Sequence, residues 1–271
     1  MLCGRPKERS HACSRIPPTT VSSRSGSPAW PRRSTSRGAS ATSTGSPSER
    51  LGLLVDREAA ERESKRLVTR LKSANLRQDA AIEDLDTKAS RGLDRALFAR
   101  LATGEWIARR QDLLITGKTG TGKSWLACAL GHKACRDDRS VLYWRVPRLL
   151  DALALARGDG RHARLLKSLA RVLLILDDWG PATMTSQQGR DILEIVDDRH
   201  GRTSTIVTSQ LPVDAWHDVI PDPTVADAVL DRLVHTAHRL ALKGESLRKP
   251  AADGWPEKTA RRGRLDTNGA E

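Results

Sequence analysis

Short apolar runs alternate with longer amphipathic stretches from about residue 113 onward in this 271-residue chain. The runs Leu113–Ile115, Val141–Trp144, Val172–Leu176 and Thr205–Val207 have strand length, and Arg239–Leu242 supplies a last short one. Between them, segments 123–136, 147–157, 160–171, 186–199 and 223–237 have helical character. Strands and helices in alternation predict an α/β chain with a parallel sheet flanked by helices. Ahead of it, Leu51, Leu54, Val55, Leu67, Val68 and Leu71 punctuate a Glu/Arg/Lys-rich stretch with neither Pro nor Gly between Val55 and Ser90. That pattern predicts one or two charged surface helices with apolar ends, and Leu93–Ile107 predicts another helix leading into the sheet. No internal repeat is present.

The first 48 residues break this texture, because 27 of them are Ser, Thr, Pro or Gly. So little apolar surface cannot offset the entropy of ordering, and a disordered basic tail is expected over 1–48. Up to Arg50 it holds nine basic and two acidic residues, a surplus of +7 within the chain's net charge of +13. More than half of the charge that would favour nucleic acid therefore belongs to a segment without a core. The expected organisation is a helical region over 49–108, a core over 109–250 and a flexible tail over 251–271. No run reaches the roughly 20 apolar residues of a membrane helix, which excludes a membrane-spanning protein of that kind. The four cysteines, at 3, 13, 128 and 135, form no CxxC pair, so neither a zinc site nor a disulfide scaffold is expected. Cys128 and Cys135, seven apart, read as small buried residues on one helix face, in a reduced cytoplasmic protein.

The sharpest signal is Gly117-Lys118-Thr119-Gly120-Thr121-Gly122-Lys123-Ser124, which fits G-x-x-x-x-G-K-[ST] between a predicted strand and a predicted helix. Glycines let such a loop turn its backbone N–H groups toward phosphate oxygens, and the helix N-terminus adds partial positive charge. Lys123 would then reach the β- and γ-phosphates, and the Ser124 hydroxyl would ligate Mg²⁺. Some 50 residues later Val172–Leu176 runs into Asp177 and Asp178. A strand beside the P-loop strand would place Asp177 at the Mg²⁺ shell and let Asp178 orient or deprotonate an attacking water. Thr208-Ser209-Gln210, at the end of the next strand, offers polar side chains to the γ-phosphate or the water. Arg232, within Asp231-Arg232-Leu233, reads from the residues alone as a surface cation, with an arginine finger as the alternative.

From Glu49-Arg50-Leu51-Gly52-Leu53-Leu54 to Leu242-Lys243-Gly244-Glu245-Ser246, the chain resembles the IstB-like ATP-binding proteins. These are helper ATPases of bacterial insertion sequences, related to the DnaC-type helicase loaders. The residues carrying the resemblance are Arg91-Gly92-Leu93-Asp94-Arg95, the P-loop, Ala127–Ala134, Asp177-Asp178-Trp179-Gly180, Thr208-Ser209-Gln210-Leu211-Pro212 and Asp231-Arg232-Leu233-Val234-His235. The resemblance implies an AAA+ fold, hydrolysis of ATP with Mg²⁺, self-assembly on duplex DNA and delivery of that DNA to a partner transposase. It also makes Arg232 the expected arginine finger and Arg248 a second phosphate sensor. It points for DNA binding to the helical element over 146–171, where Arg148, Arg157, Arg161, Arg164, Lys167 and Arg171 face only Asp151 and Asp159. A solvated basic face is the alternative there. The family's members open with Leu- and Ala-rich helical sequence where this chain has its Ser/Arg/Pro-rich stretch, so residues 1–48 are either read in a shifted frame or form a true basic tail. A helicase loader and an inactive DNA-binding remnant remain as rival functions.

Overall fold

The computed structural model describes residues 46–86, 92–244, 246 and 247. Most of the expected tail (1–45), the C-terminal stretch 251–271 and Arg248 lie outside them. From Leu51 on the chain forms one unit, and the residues up to Arg50 form another, of which only the start of helix α1 (Pro47–Ala74) is described.

Five strands make one sheet: β1 (Leu113–Gly117), β2 (Val141–Arg145), β3 (Leu173–Trp179), β4 (Thr205–Ser209) and β5 (His238–Leu242). All pair in parallel, in the order β2-β3-β4-β1-β5. Successive strand residues point to opposite faces. Leu113, Ile115, Ile175 and Ile206 pack against α4 (Lys123–Arg136) and the shorter helices α2 (Arg95–Ala102) and α3 (Glu105–Ala108). Leu114, Leu174, Leu176 and Val207 pack against α5 (Val146–Gly158), α6 (His162–Leu169), α7 (Ser186–Arg199) and α8 (Pro223–Val234). Burial on both faces is why the strands read as unbroken apolar runs. Cys128 and Cys135 are both buried on α4.

Helix limits follow local chemistry. Thr185 and Gln188 form a reciprocal capping box at the start of α7, and Asp222 caps α8 ahead of Pro223. The helix expected over Leu93–Ile107 is instead two, because Gly104 takes a left-handed conformation (φ 73°) between α2 and α3. The charged stretch is one long helix that stops at Asn75 (φ 51°); only a 3-10 turn at Ile82–Asp84 follows before Asp86. Among the described residues no helix is long and apolar enough to cross a membrane.

The N-terminal edge of the sheet is fastened by buried polar groups. Asp112 accepts the Thr205 N–H at 2.6 Å. Arg199, 2% exposed, donates to the Leu169 and Ser204 carbonyls and to Thr205 Oγ1. Burial pushes Arg199 down to about 10 and Asp112 up from 3.8 to about 6, the latter against the Thr205 hydrogen bond and the Arg199 charge. A folded carboxyl that titrates above its unfolded value holds a proton the unfolded chain has shed. Its contribution therefore favours the native state at low pH and is lost as pH rises from about 4 to about 6. Asp112→Asn keeps an acceptor for Thr205 and should remove that loss. Denaturant unfolding should show the variant gaining up to about 3 kcal/mol on the wild type across this window; a constant difference would contradict the assignment.

Candidate functional site

The turn from β1 into α4 builds a cradle. Gly122 stands at the helix N-cap in a left-handed conformation (φ 91°), and no side chain caps this end of α4, whose N–H groups point toward the loop. Thr119 Oγ1 donates to Gln210 Oε1 at 2.7 Å, tying the loop to the end of β4. Lys123 Nζ donates to the Gly117 and Lys118 carbonyls at 2.7 and 2.8 Å, which holds its charge at the loop. A Cβ at Gly120 (φ 86°) would stand 2.0 Å from Ser246 Oγ, and the Leu247 N–H donates to the Gly120 carbonyl at 2.9 Å. The segment after β5 is thus seated on the loop. The cradle opens on a cavity of about 620 Å³, a volume suited to a nucleotide, whose wall includes Lys123, Ser124, Asp178 and Gln210.

Strand β3 continues through both aspartates. Its register with β4 shifts between Leu176 and Trp179, and Asp178 takes φ 59°, a bulge that re-aims the two carboxylates. Asp177 has no exposed surface. Its Oδ1 accepts from Ser124 Oγ at 2.7 Å and from the Thr208 hydroxyl; its Oδ2 accepts from the Tyr143 phenol at 2.5 Å. With the Ser124 proton held by Asp177, the hydroxyl lone pairs are left for a cation, and Gly117, Gly120 and Gly122 carry no side chain to screen the loop backbone; the residues fit Mg²⁺ and a phosphate chain. Asp178 Oδ2 takes Arg145 Nε and Nη2 at 2.8 and 2.7 Å, and its backbone N–H donates to Thr208 Oγ1 at 3.3 Å. Arg77 Nη1 stands 3.6 Å from Asp177 and 4.0 Å from Asp178. Burial, then the hydrogen bond to Asp177, pushes the Tyr143 phenol up; the bond to Tyr143 raises the Arg77 guanidinium.

One expectation about the sheet is corrected. The strand carrying Asp177 is not beside the P-loop strand, since β4 lies between β1 and β3. The aspartate meets Ser124 because α4 crosses the sheet face toward Ile175 and Tyr143. The structure brings together the P-loop, Asp177, Asp178, Thr208 and Gln210, while Ser209 donates to the Trp179 carbonyl. Arg232 is not on the cavity wall; on α8 it pairs with Asp197 of α7 and donates to the Ala228 carbonyl at 2.8 Å. The six cations of the 146–171 element are all exposed. Two are committed, Arg157 to the buried Asp191 and Arg161 to Asp159. Arg148, Arg164, Lys167 and Arg171 have no ion-pair partner among the described residues. Sequence reasoning missed Arg77, Tyr143 and Arg145. Both of the last two lie on β2, and Arg145 ends it, a strand-end position that could have flagged it, whereas nothing in the local sequence marks Arg77.

Comparison with known proteins places this geometry. An insertion-sequence ATP-binding protein of Sinorhizobium fredii is 62% identical over 205 residues, covering 75% of this chain and 84% of the relative. The IS21 ATP-binding protein of Pseudomonas aeruginosa is 33% identical over 202 residues, covering 74% and 76%. Among solved structures, DnaI superposes with a TM-score of 0.52 at 21% identity, covering 61% of this chain and 92% of its own. The AMPPCP-bound DnaA of Aquifex aeolicus gives 0.51 at 17%, covering 64% and 53%. These likenesses agree with an AAA+ P-loop fold. The model of the IstB-like ATP binding proteins matches residues 27–253, starting upstream of Glu49, and the chain belongs to that family.

Proposed function

We propose that the chain is an ATP-hydrolysing helper of insertion-sequence transposition. It would bind ATP with Mg²⁺ at Gly117–Ser124 and Asp177, self-assemble on duplex DNA and assist a partner transposase. The observation that carries the reading is the Ser124–Asp177 hydrogen bond at the mouth of the P-loop, with Asp178 on the wall of the same cavity. The names of the two curated relatives, both ATP-binding proteins of insertion sequences, support the transposition setting over a helicase loader.

In this mechanism Lys123 turns from two loop carbonyls to the β- and γ-phosphate oxygens, and the uncapped N–H groups of α4 take the remaining phosphate charge. Ser124 presents its lone pairs to the cation, with Asp177 holding the hydroxyl proton. Bound Mg²⁺ would supply charge neutralisation across the β- and γ-phosphates. Asp178, paired with Arg145, orients the attacking water, and Gln210 contacts the γ-phosphate from the end of β4. Arg232 acts in a neighbouring subunit's site after exchanging Asp197 for phosphate, and Arg248 is a second phosphate sensor. DNA lies along α5 and α6, contacted mainly by Arg148, Arg164, Lys167 and Arg171, with Arg157 and Arg161 held partly by their own carboxylates.

The full chain should hydrolyse ATP faster with duplex DNA than without, and Lys123→Ala should be inactive in both conditions. Arg232→Ala should lose about 10³-fold in turnover. Mixing it with Lys123→Ala should restore part of the activity, because mixed interfaces pair an intact P-loop with an intact finger; no recovery would refute a finger acting between subunits.

Arg164→Ala with Lys167→Ala should weaken DNA binding and lower its salt slope by about 0.9 for each phosphate no longer neutralised. Arg157→Ala should instead lower the melting temperature, since it leaves Asp191 buried without its cation. An unchanged salt slope in the first variant would remove α6 from the DNA interface.

A further inference from the structure

Asp177 and Asp178 meet a cation that neither the P-loop nor the sheet supplies. Helix α1 ends at Ala74, Asn75 turns the chain, and Leu76 is packed against Gly131 of α4. A Cβ at Gly131 would stand 3.2 Å from Leu76 Cδ2 and 2.8 Å from Ile175 Cδ1, so the close approach of the segment to α4 depends on that glycine. Leu76 is the anchor, and the next residue, Arg77, extends along the cavity wall to the two carboxylates. Its contacts, at 3.6 and 4.0 Å, are longer than the 2.7 Å between Arg145 and Asp178, and its side chain is 41% exposed. Arg77 therefore neutralises the aspartates without being locked to either. Asp177 would keep its bonds from Ser124, Thr208 and Tyr143 if the guanidinium moved.

Position along the cavity defines what else Arg77 can reach. In the P-loop reading Ser124 would help to hold a cation for the phosphates, and Asp178 would hold the attacking water at the terminal one. A guanidinium beside both aspartates is at the terminal end of the phosphate chain. We propose that Arg77 is a nucleotide-binding residue of this site, supplied by the N-terminal helical region, whose guanidinium contacts the terminal phosphate of a nucleoside triphosphate. The inference rests on the P-loop reading above and adds to it. A planar fork of donors suits phosphate better than two carboxylates already shared with other donors. Because Arg77 lies three residues beyond the last residue of α1, the end of that helix then distinguishes triphosphate from diphosphate.

The test is equilibrium binding to the full chain of mant-labelled ADP and a mant-labelled non-hydrolysable ATP analogue, read by energy transfer from tryptophan, with Trp125 on the cavity wall. Magnesium is varied, and Lys123→Ala is the control. Arg77→Ala should weaken the triphosphate about tenfold and the diphosphate less than twofold, with Arg77→Lys in between. Hydrogen exchange over residues 67–76 should be slower with the triphosphate than with the diphosphate in the wild type, and the difference should vanish in Arg77→Ala. Equal losses for both nucleotides, or none, would overturn the assignment. A lower magnesium requirement with unchanged triphosphate affinity would also overturn it, by showing that Arg77 only shields the carboxylates. If Lys123→Ala binds both nucleotides like the wild type, or the wild type binds neither, the P-loop reading itself fails and Arg77 falls with it.

Discussion

A carboxylate with no exposed surface holds the functional edge of the sheet together. Asp177 accepts hydrogen bonds from the first turn of α4, from the middle of β2 and from β4, with Arg77 of the segment after α1 close by. An ionised group withdrawn from water is tolerable only when donors replace its hydration. The positions of these elements are therefore coupled: none can shift without leaving a buried charge underserved. Through Asp177, the direction of the Ser124 hydroxyl is set from β2 and β4 as well as from α4.

The two edges of the same sheet use buried polar groups for different ends. At the N-terminal edge Asp112 and Arg199 bind backbone and a threonine hydroxyl and lock strand starts to helix ends. Their donors and acceptors face inward, so the pair is structural. At the C-terminal edge strand ends border a cavity, and the bulge at Asp178 brings that carboxylate to its wall while Asp177 stays buried. Parallel strands put all of their C-terminal ends on one side, which explains why residues more than 90 positions apart, such as Thr119 and Gln210, share a hydrogen bond there.

What could be read from the residues depended on whether the information was local. The P-loop was legible because its chemistry fixes its spacing, and the strands because burial on both faces leaves continuous apolar runs. Helix α7 was placed at its observed limits, since its capping chemistry lies in the sequence itself. Strand order was not legible: β4 enters between β1 and β3, and no local pattern records that. Arg77 was missed for the same reason, because its role depends on Leu76 meeting Gly131, a contact across 55 positions. Arg157 looked like one basic residue among six, and only the tertiary structure shows it committed to Asp191. The finger role proposed for Arg232, by its nature, needs a second subunit to be seen.

Among the described residues, helix α1 meets the core near its C-terminal end, through Leu67, Leu71 and Ala74, while Leu51, Leu53, Leu54 and Val55 are exposed. Mechanically it is a lever with a short inner arm. At a rise of about 1.5 Å per residue, Leu51 lies about 30 Å from Leu71, so a tilt of about 10° at the grip corresponds to a displacement of about 5 Å at the outer end. The inner arm, from Leu71 to Arg77, is several times shorter. If the end of α1 follows Arg77, ångström-scale adjustments beside the two aspartates would be geared to displacements of several ångströms at the outer end, and a load there would be returned to the carboxylates with its force multiplied.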